Sequence, residues 1–308
     1  MSAGWVAATV RARALAQRRA GSGASAVIAR ADTLGDGLDL LVGTAYGPRM
    51  AGATDMAAVE RATDETVLWH LRVLAGWVPA TASRLCRAAA GAFERDNVTA
   101  LAAQLGGGRS APEPFELGAL GTAWSSLRTS ASTAELAAGL ARSAWGAVGA
   151  EDAAALRDVL TVVWLRRLSD TAAAARPWAE AGAALVATRT VLVDQVEASP
   201  RLRRLLRPLI GSAWERATDL DAMRTALPRA TGALLVGIAA PADLWQAEAR
   251  AMTAVETDAF RLLRSALPGP DAVLGALAML ATDAWRVRAA LASAAFGSGH
   301  SEVLDAVA

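Results

Sequence analysis

Apolar residues recur along this chain at spacings of three and four, in runs that stop at glycine or proline. Val59, Val67, Leu68, Leu71, Leu74 and Trp77 share one face of a run from Asp55 to Trp77, and Pro79 follows it. Leu85, Ala89, Phe93, Leu101 and Leu105 share a face from Ala82 to Leu105, and Gly106-Gly107-Gly108 follows. This spacing matches the 3.6-residue period of an α-helix and not the alternation of a strand. The same pattern predicts helices over Glu151–Leu168, Ala179–Val193, Asp243–Ala266 and Ala272–Ala295. Shorter ones are expected over Leu38–Val42, Thr133–Leu140 and Asp219–Leu227. A first helix is expected to end at Gly21-Ser22-Gly23, with a second over Ala24–Ala31. The expected fold class is all-α.

One polar residue interrupts the stripe of the run ending at Leu105. Asn97, the only asparagine in the chain, lies four residues from Phe93 and four from Leu101. An amide on a buried face needs a hydrogen-bond partner or costs roughly 1–3 kcal/mol. Asn97 is therefore expected to bond the backbone of an adjoining helix or turn and to fix the register of its helix. Asn97-Val98-Thr99 also reads as a glycosylation sequon, but a helical setting makes that a chance match.

The elements recur in order. Short helix, small turn and two long helices run up to Leu105, then again from Thr133, then from Asp219. Tyr46 and Trp145 are 99 residues apart (46 to 145) in similar turns, and the Asn97 segment has echoes at 187–190 and 286–288. Gly106–Pro114 is the best linker. Three units are expected, at 1–108, 109–198 and 199–308.

Composition removes several chemistries. The chain is 54% hydrophobic and 20% charged, with a formal balance of +1, which does not favour nucleic acid as a partner. Every basic residue is arginine, so no lysine can form a Schiff base or grip a phosphate. No run reaches the ~18–20 apolar residues of a membrane span. Cys86 is the single cysteine, so no intrachain disulfide forms and a reducing compartment is expected. The apolar residues Trp5, Val6 and Val10 precede the first arginines, the wrong order for a secretory signal.

Catalytic and metal motifs are not evident. His70 and His300 stand apart from each other and from Cys86. Gly21-Ser22-Gly23-Ala24-Ser25-Ala26 fits a loose GxGxxA pattern but follows a helix, where a dinucleotide loop follows a strand. Asp32 and Asp36 are an isolated pair, not the repeated aspartates of a magnesium-diphosphate site. No catalytic residue, cofactor site or metal site is assigned. The ten tryptophans read as core. The run Arg201-Leu202-Arg203-Arg204-Leu205-Leu206-Arg207 is the strongest charge feature. Arg201, Arg203, Arg204 and Arg207 are candidate partner-binding residues, set against a plain solvated helix face.

In their order these signals resemble the C-type subunits of the V/A-type rotary ATPases, the counterparts of the d-type subunits of eukaryotic V-ATPases. The resemblance rests on Val10-Arg11-Ala12-Arg13 in the first helix and on Thr44-Ala45-Tyr46-Gly47 after a short helix. It continues through Asp96-Asn97-Val98-Thr99, Leu117-Gly118-Ala119-Leu120, and Asp283 to Arg288 near the end. The chain departs from the family pattern where Arg286 stands for asparagine and Thr99 for a basic residue. The resemblance implies three similar helical units in a pseudo-threefold, funnel-shaped arrangement. It implies a non-catalytic subunit that joins the central-shaft subunits of D and F type to the membrane proteolipid ring. It would be peripheral on the cytoplasmic face, reach the membrane through its partners, and use no cofactor. The alternatives are a helical scaffold of another assembly and an all-α enzyme with an unrecognised pocket.

Overall fold

The computed structural model describes residues 3–108, 110–148, 153–265 and 267–306. Among them the regular elements are all helical, and no strand is present. Expected helix ends at 151–152 and 266, and part of the Gly106–Pro114 linker, lie outside the described residues.

Contacts group the chain into two compact units, residues 1–86 with 252–308, and residues 87–251. The boundaries fall inside the long helices Ser83–Leu105 and Trp245–Leu263 and not in loops. The grouping therefore follows packing and does not run in chain order.

The first unit contains α1 (Ala3–Gln17), α2 (Gly21–Ile28), α3 (Leu34–Asp39), α4 (Gly47–Met50) and α5 (Met56–Ala75). α6 (Ser83–Leu105) begins there and continues into the second unit. The second unit continues with α7 (Trp124–Leu127), α8 (Thr133–Ala141), α9 (Ala153–Thr171), α10 (Arg176–Thr188) and α11 (Pro200–Ile210). It adds α12 (Leu220–Ala226), α13 (Arg229–Gly232) and the start of α14 (Trp245–Leu263). α15 (Pro270–Phe296) and α16 (Glu302–Asp305) return to the first unit.

In the first unit α15 is the central element. It is apolar around most of its circumference and buried along most of its length, as a helix surrounded by others must be. α1, α2, α3 and α5 pack on it. Its small residues let neighbours approach closely. A Cβ on Gly275 would lie 2.7 Å from the Ala259 carbonyl oxygen and 3.0 Å from Leu262 Cβ on α14.

In the second unit α9, α10 and α11 pack against one another. Their core includes Leu160, Ala183, Leu206 and Trp214. Gly91 meets Trp164, whose indole N–H donates to the Ala88 carbonyl at 2.9 Å. α10 does not remain α-helical to Val193, as the period alone predicts. Residues Arg189–Val193 form a π-helical turn, anchored by an ion pair from Arg189 to Asp158 on α9.

A second expectation is corrected near the N-terminus. Gly21-Ser22-Gly23 does not end the first helix; it opens α2. Gly21 has φ +78, so the chain turns there. An acid distant in sequence then caps the new helix start.

Candidate functional site

A buried carboxylate on α6 gathers five hydrogen bonds. Glu94 is 1% exposed. Its Oε1 accepts backbone N–H bonds from Thr122 at 2.7 Å, Ala123 at 2.7 Å and Trp124 at 2.8 Å. Its Oε2 accepts from the Thr122 hydroxyl and from the Trp145 indole N–H at 3.1 Å. The Ala123 and Trp124 amides are among those left without helical partners at the start of α7, and the Thr122 amide immediately precedes them. A negative charge there also faces the positive end of the helix. Trp145 is buried, and the Arg167 guanidinium lies 5.2 Å from its ring centroid.

The first unit contains a related arrangement. Asp283 on α15 accepts the backbone N–H of Ala20 at 2.9 Å and of Gly21 at 2.7 Å, at the start of α2. Burial pushes the Asp283 carboxyl above its usual range, and the bonds from Gly21, Ala20 and Tyr46 oppose that push. Tyr46 is buried and its hydroxyl also donates to the Leu280 carbonyl at 3.3 Å. Burial, then the nearby Asp283 charge, raise the phenol well above its ordinary value.

The correspondence extends to small bonds. Thr33 caps α3 by accepting the Asp36 amide, and Ser132 caps α8 by accepting the Glu135 amide. The Thr44 hydroxyl donates to the Leu41 carbonyl and accepts the Tyr46 amide. The Ser143 hydroxyl donates to the Leu140 carbonyl and accepts the Trp145 amide. Thr33 and Ser132, Thr44 and Ser143, and Tyr46 and Trp145 all stand 99 residues apart (46 to 145). Glu94 and Asp283 stand 189 apart (94 to 283), the same offset as Asn97 and Arg286.

Asn97 is 4% exposed. Its carbonyl oxygen accepts the Phe115 amide at 2.7 Å and its amide donates to the Phe115 carbonyl at 3.0 Å. Both polar ends are thus satisfied by one residue of the segment before α7, and the Phe93 and Phe115 rings stack edge to face beside them. At the equivalent place on α15, Arg286 is buried and forms an ion pair with Glu256. The position on α10, Ala187, is fully buried and apolar.

The four arginines of α11 separate into different environments. Arg203 forms ion pairs with Glu197 at 3.2 Å and Glu215 at 3.8 Å. Arg201 is half-buried, with its guanidinium against Gly146, and its Nε is buried without a hydrogen-bond partner. Arg204 and Arg207 are exposed.

A hollow of about 620 Å³ in the second unit is lined by Thr122, Ser126, Thr129, Glu135, Arg142 and Ser143. The hydroxyls of Ser126, Thr129 and Ser143 donate to carbonyls three residues earlier, and Glu135 accepts the Ala131 amide. These groups hold local turns. Neither histidine of the chain belongs to this unit. His70, in the first unit, is pushed down to about 4 by burial and stays neutral near pH 7. Burial pushes the Cys86 thiol up to about 11, which keeps it protonated and unreactive. Among the described residues no cluster of His, Cys, Asp and Glu could hold a metal ion, and no helix is long and apolar enough to cross a membrane.

The chain matches no protein-family model and no curated protein.

Asn97 stands out in the sequence, and Glu94, three residues earlier, does not. A signal for Glu94 is nonetheless present: an acid recurs at Glu94 and Asp283 at the offset that relates Asn97 to its echo on the last long helix.

Proposed function

We propose that this protein is the non-catalytic coupling subunit of a V/A-type proton- or sodium-translocating rotary ATPase. In that role it joins central-shaft subunits of D and F type to the membrane proteolipid ring and transmits torque. It sits peripherally on the cytoplasmic face, reaches the membrane through those partners, and binds neither cofactor nor nucleic acid. The three rounds of helices then form three similar units in a pseudo-threefold, funnel-shaped arrangement.

One observation carries this reading. Segments that give the resemblance, together with the Trp145 turn that echoes the Tyr46 turn, meet buried acids in a repeated way. The Thr44-Ala45-Tyr46-Gly47 turn packs by the buried acid of the Asp283–Arg288 helix. The Ser143-Ala144-Trp145-Gly146 turn packs by the buried acid that precedes Asn97. Each acid also caps the helix start that leads toward its turn. In the third round Asp219 caps α12, and α13, with Ala230-Thr231-Gly232, packs on α10. The acid is replaced there by the buried Ala184.

The chemistry suits a transmitter of force. A carboxylate shared by several backbone amides resists sliding of the short helices over the long ones. Charge-assisted bonds are about twice as strong as neutral ones. Close packing of Ala- and Gly-rich helices leaves little compliance.

Purification of the tagged protein from its native membranes in mild detergent tests the proposal. Shaft subunits and the proteolipid ring are expected to co-purify. Recovery of the chain with neither would overturn the reading.

A further inference from the structure

The arginines of α11 differ in what they have to bond, and that difference marks a surface. The helix is firmly placed. The Ser199 hydroxyl accepts the Leu202 amide at its start, and Leu202, Leu205, Leu206, Leu209 and Ile210 are buried in the core of the second unit. Its opposite half carries Arg201, Arg203, Arg204 and Arg207, and the helix contains no acidic residue. Arg203 shows how a guanidinium here is satisfied internally, by Glu197 and Glu215. Among the described residues no ion pair joins Arg204 or Arg207 to an acid, and Arg201 keeps a buried Nε without an acceptor. Three positive charges therefore stand on one arc of a rigid helix without internal counter-charges.

We propose that this face of α11, with Arg204 and Arg207 at its centre, docks an acidic segment of a partner protein. The inference rests on the coupling reading only for the identity of that partner. Guanidinium groups pair with carboxylates through two parallel N–H···O bonds. Residues three apart on a helix lie about 5–6 Å apart, the spacing of successive carboxylates on a facing helix. An anionic membrane is the weaker fit. The apolar half of α11 is consumed by the core, so nothing remains to enter the acyl region, and charge alone contributes about 1 kcal/mol per arginine.

The contacts decide which variants are informative. Arg203→Glu would set a new carboxylate beside Glu197 and Glu215 and disturb the fold, so it is avoided. The double variant Arg204→Glu with Arg207→Glu changes only exposed groups. Arg204→Lys with Arg207→Lys keeps the charge, and Arg216→Glu with Arg229→Glu serves as a control elsewhere on the surface.

The experiment measures binding of a fluorescent oligo-glutamate peptide by anisotropy, and co-sedimentation with phosphatidylglycerol vesicles, for the full-length chain and each variant. Unchanged helicity by circular dichroism establishes folding. The face is supported if the double reversal weakens peptide binding by about tenfold or more, the control variant stays within about threefold, the lysine variant, which keeps the charge but loses the paired N–H bonds, falls between the two, and vesicle binding is weaker than peptide binding. Equal peptide binding by wild type and the double reversal overturns it, as does preferential binding to vesicles. The same variants are carried into the native-membrane purification. If wild type captures partners and the double reversal captures them equally, the face is wrong while the coupling reading stands. If wild type captures no ATPase subunit, the coupling reading fails, and the peptide arm alone decides the face.

Discussion

Replacing Glu94 with alanine is the sharpest perturbation available, because so many donors converge on one buried side chain. The change removes the acceptor for the amides of Thr122, Ala123 and Trp124, for the Thr122 hydroxyl and for the Trp145 indole. It also removes the negative charge that favours the Arg167 guanidinium, which burial disfavours. Each lost bond to a charged group is worth about 1.5–3 kcal/mol, but such losses do not add, and water can reach part of the space left behind. Counting only Ala123 and the Trp145 indole as buried donors left unpaired gives about 2–6 kcal/mol, centred near 4. That is a large part of the ~5–15 kcal/mol that holds a folded protein together. Glu94→Gln keeps an acceptor for the three amides but turns an NH2 toward the Trp145 N–H. It should cost less, about 1.5–3 kcal/mol. The assay is urea unfolding followed by circular dichroism at 222 nm and by tryptophan fluorescence. If Glu94→Ala unfolds within about 1 kcal/mol of wild type, the carboxylate does not hold the α7 start, and the stiffening role given to it is refuted.

Three other outcomes follow from the same geometry. Asn97→Ala should lose about 1–3 kcal/mol by urea unfolding, and Asn97→Asp should lose at least as much, since a carboxylate then faces the Phe115 carbonyl. An aspartate variant as stable as wild type would contradict the two-bond geometry. His70 has its folded pKa lowered from 6.5 to about 4, so between those values the unfolded chain binds the extra proton. Its contribution is therefore intact above pH 6.5 and lost as pH falls toward 4, by roughly 1 kcal/mol per pH unit. His70→Gln should flatten that part of the stability–pH curve, and an unchanged curve would refute the assignment. Gly275→Ala places a Cβ 2.7 Å from the Ala259 carbonyl oxygen, so α14 and α15 must separate, at a cost of about 1–3 kcal/mol. A thermal melt no lower than that of wild type would show that the two helices are not in close contact.

Much of the fold can be read directly from spacing. The long runs ending at Pro79 and Gly106 became α5 and α6 almost to the residue, because an apolar stripe and a breaker are both local signals. The caps at Asp219 and Ser132 are equally local, since each accepts an amide only three residues on. The start of α2 is not, because its capping acid lies 262 residues away at Asp283. Two glycines read as a stop, whereas Gly21 turns the chain into the next helix and Gly23 lies within that helix. The π turn after α10 was hidden for a similar reason: Arg189 is held by Asp158, 31 residues earlier. The arginine run could be seen, but not which of its members was already paired, since Glu197 and Glu215 come to Arg203 only through the folded second unit. Asn97 drew attention by being unique, while Glu94, one of many glutamates, does more in the structure.

The proposed coupling role is tested most directly by ion pumping per ATP hydrolysed, in native membranes from which this protein has been removed and to which it is then restored. ATP-driven pumping is predicted to be lost on removal and to return with the purified wild-type chain. No such return is predicted with the Glu94→Ala chain, whose turn packing is broken. Pumping at the wild-type ratio in membranes lacking the protein would contradict the coupling role.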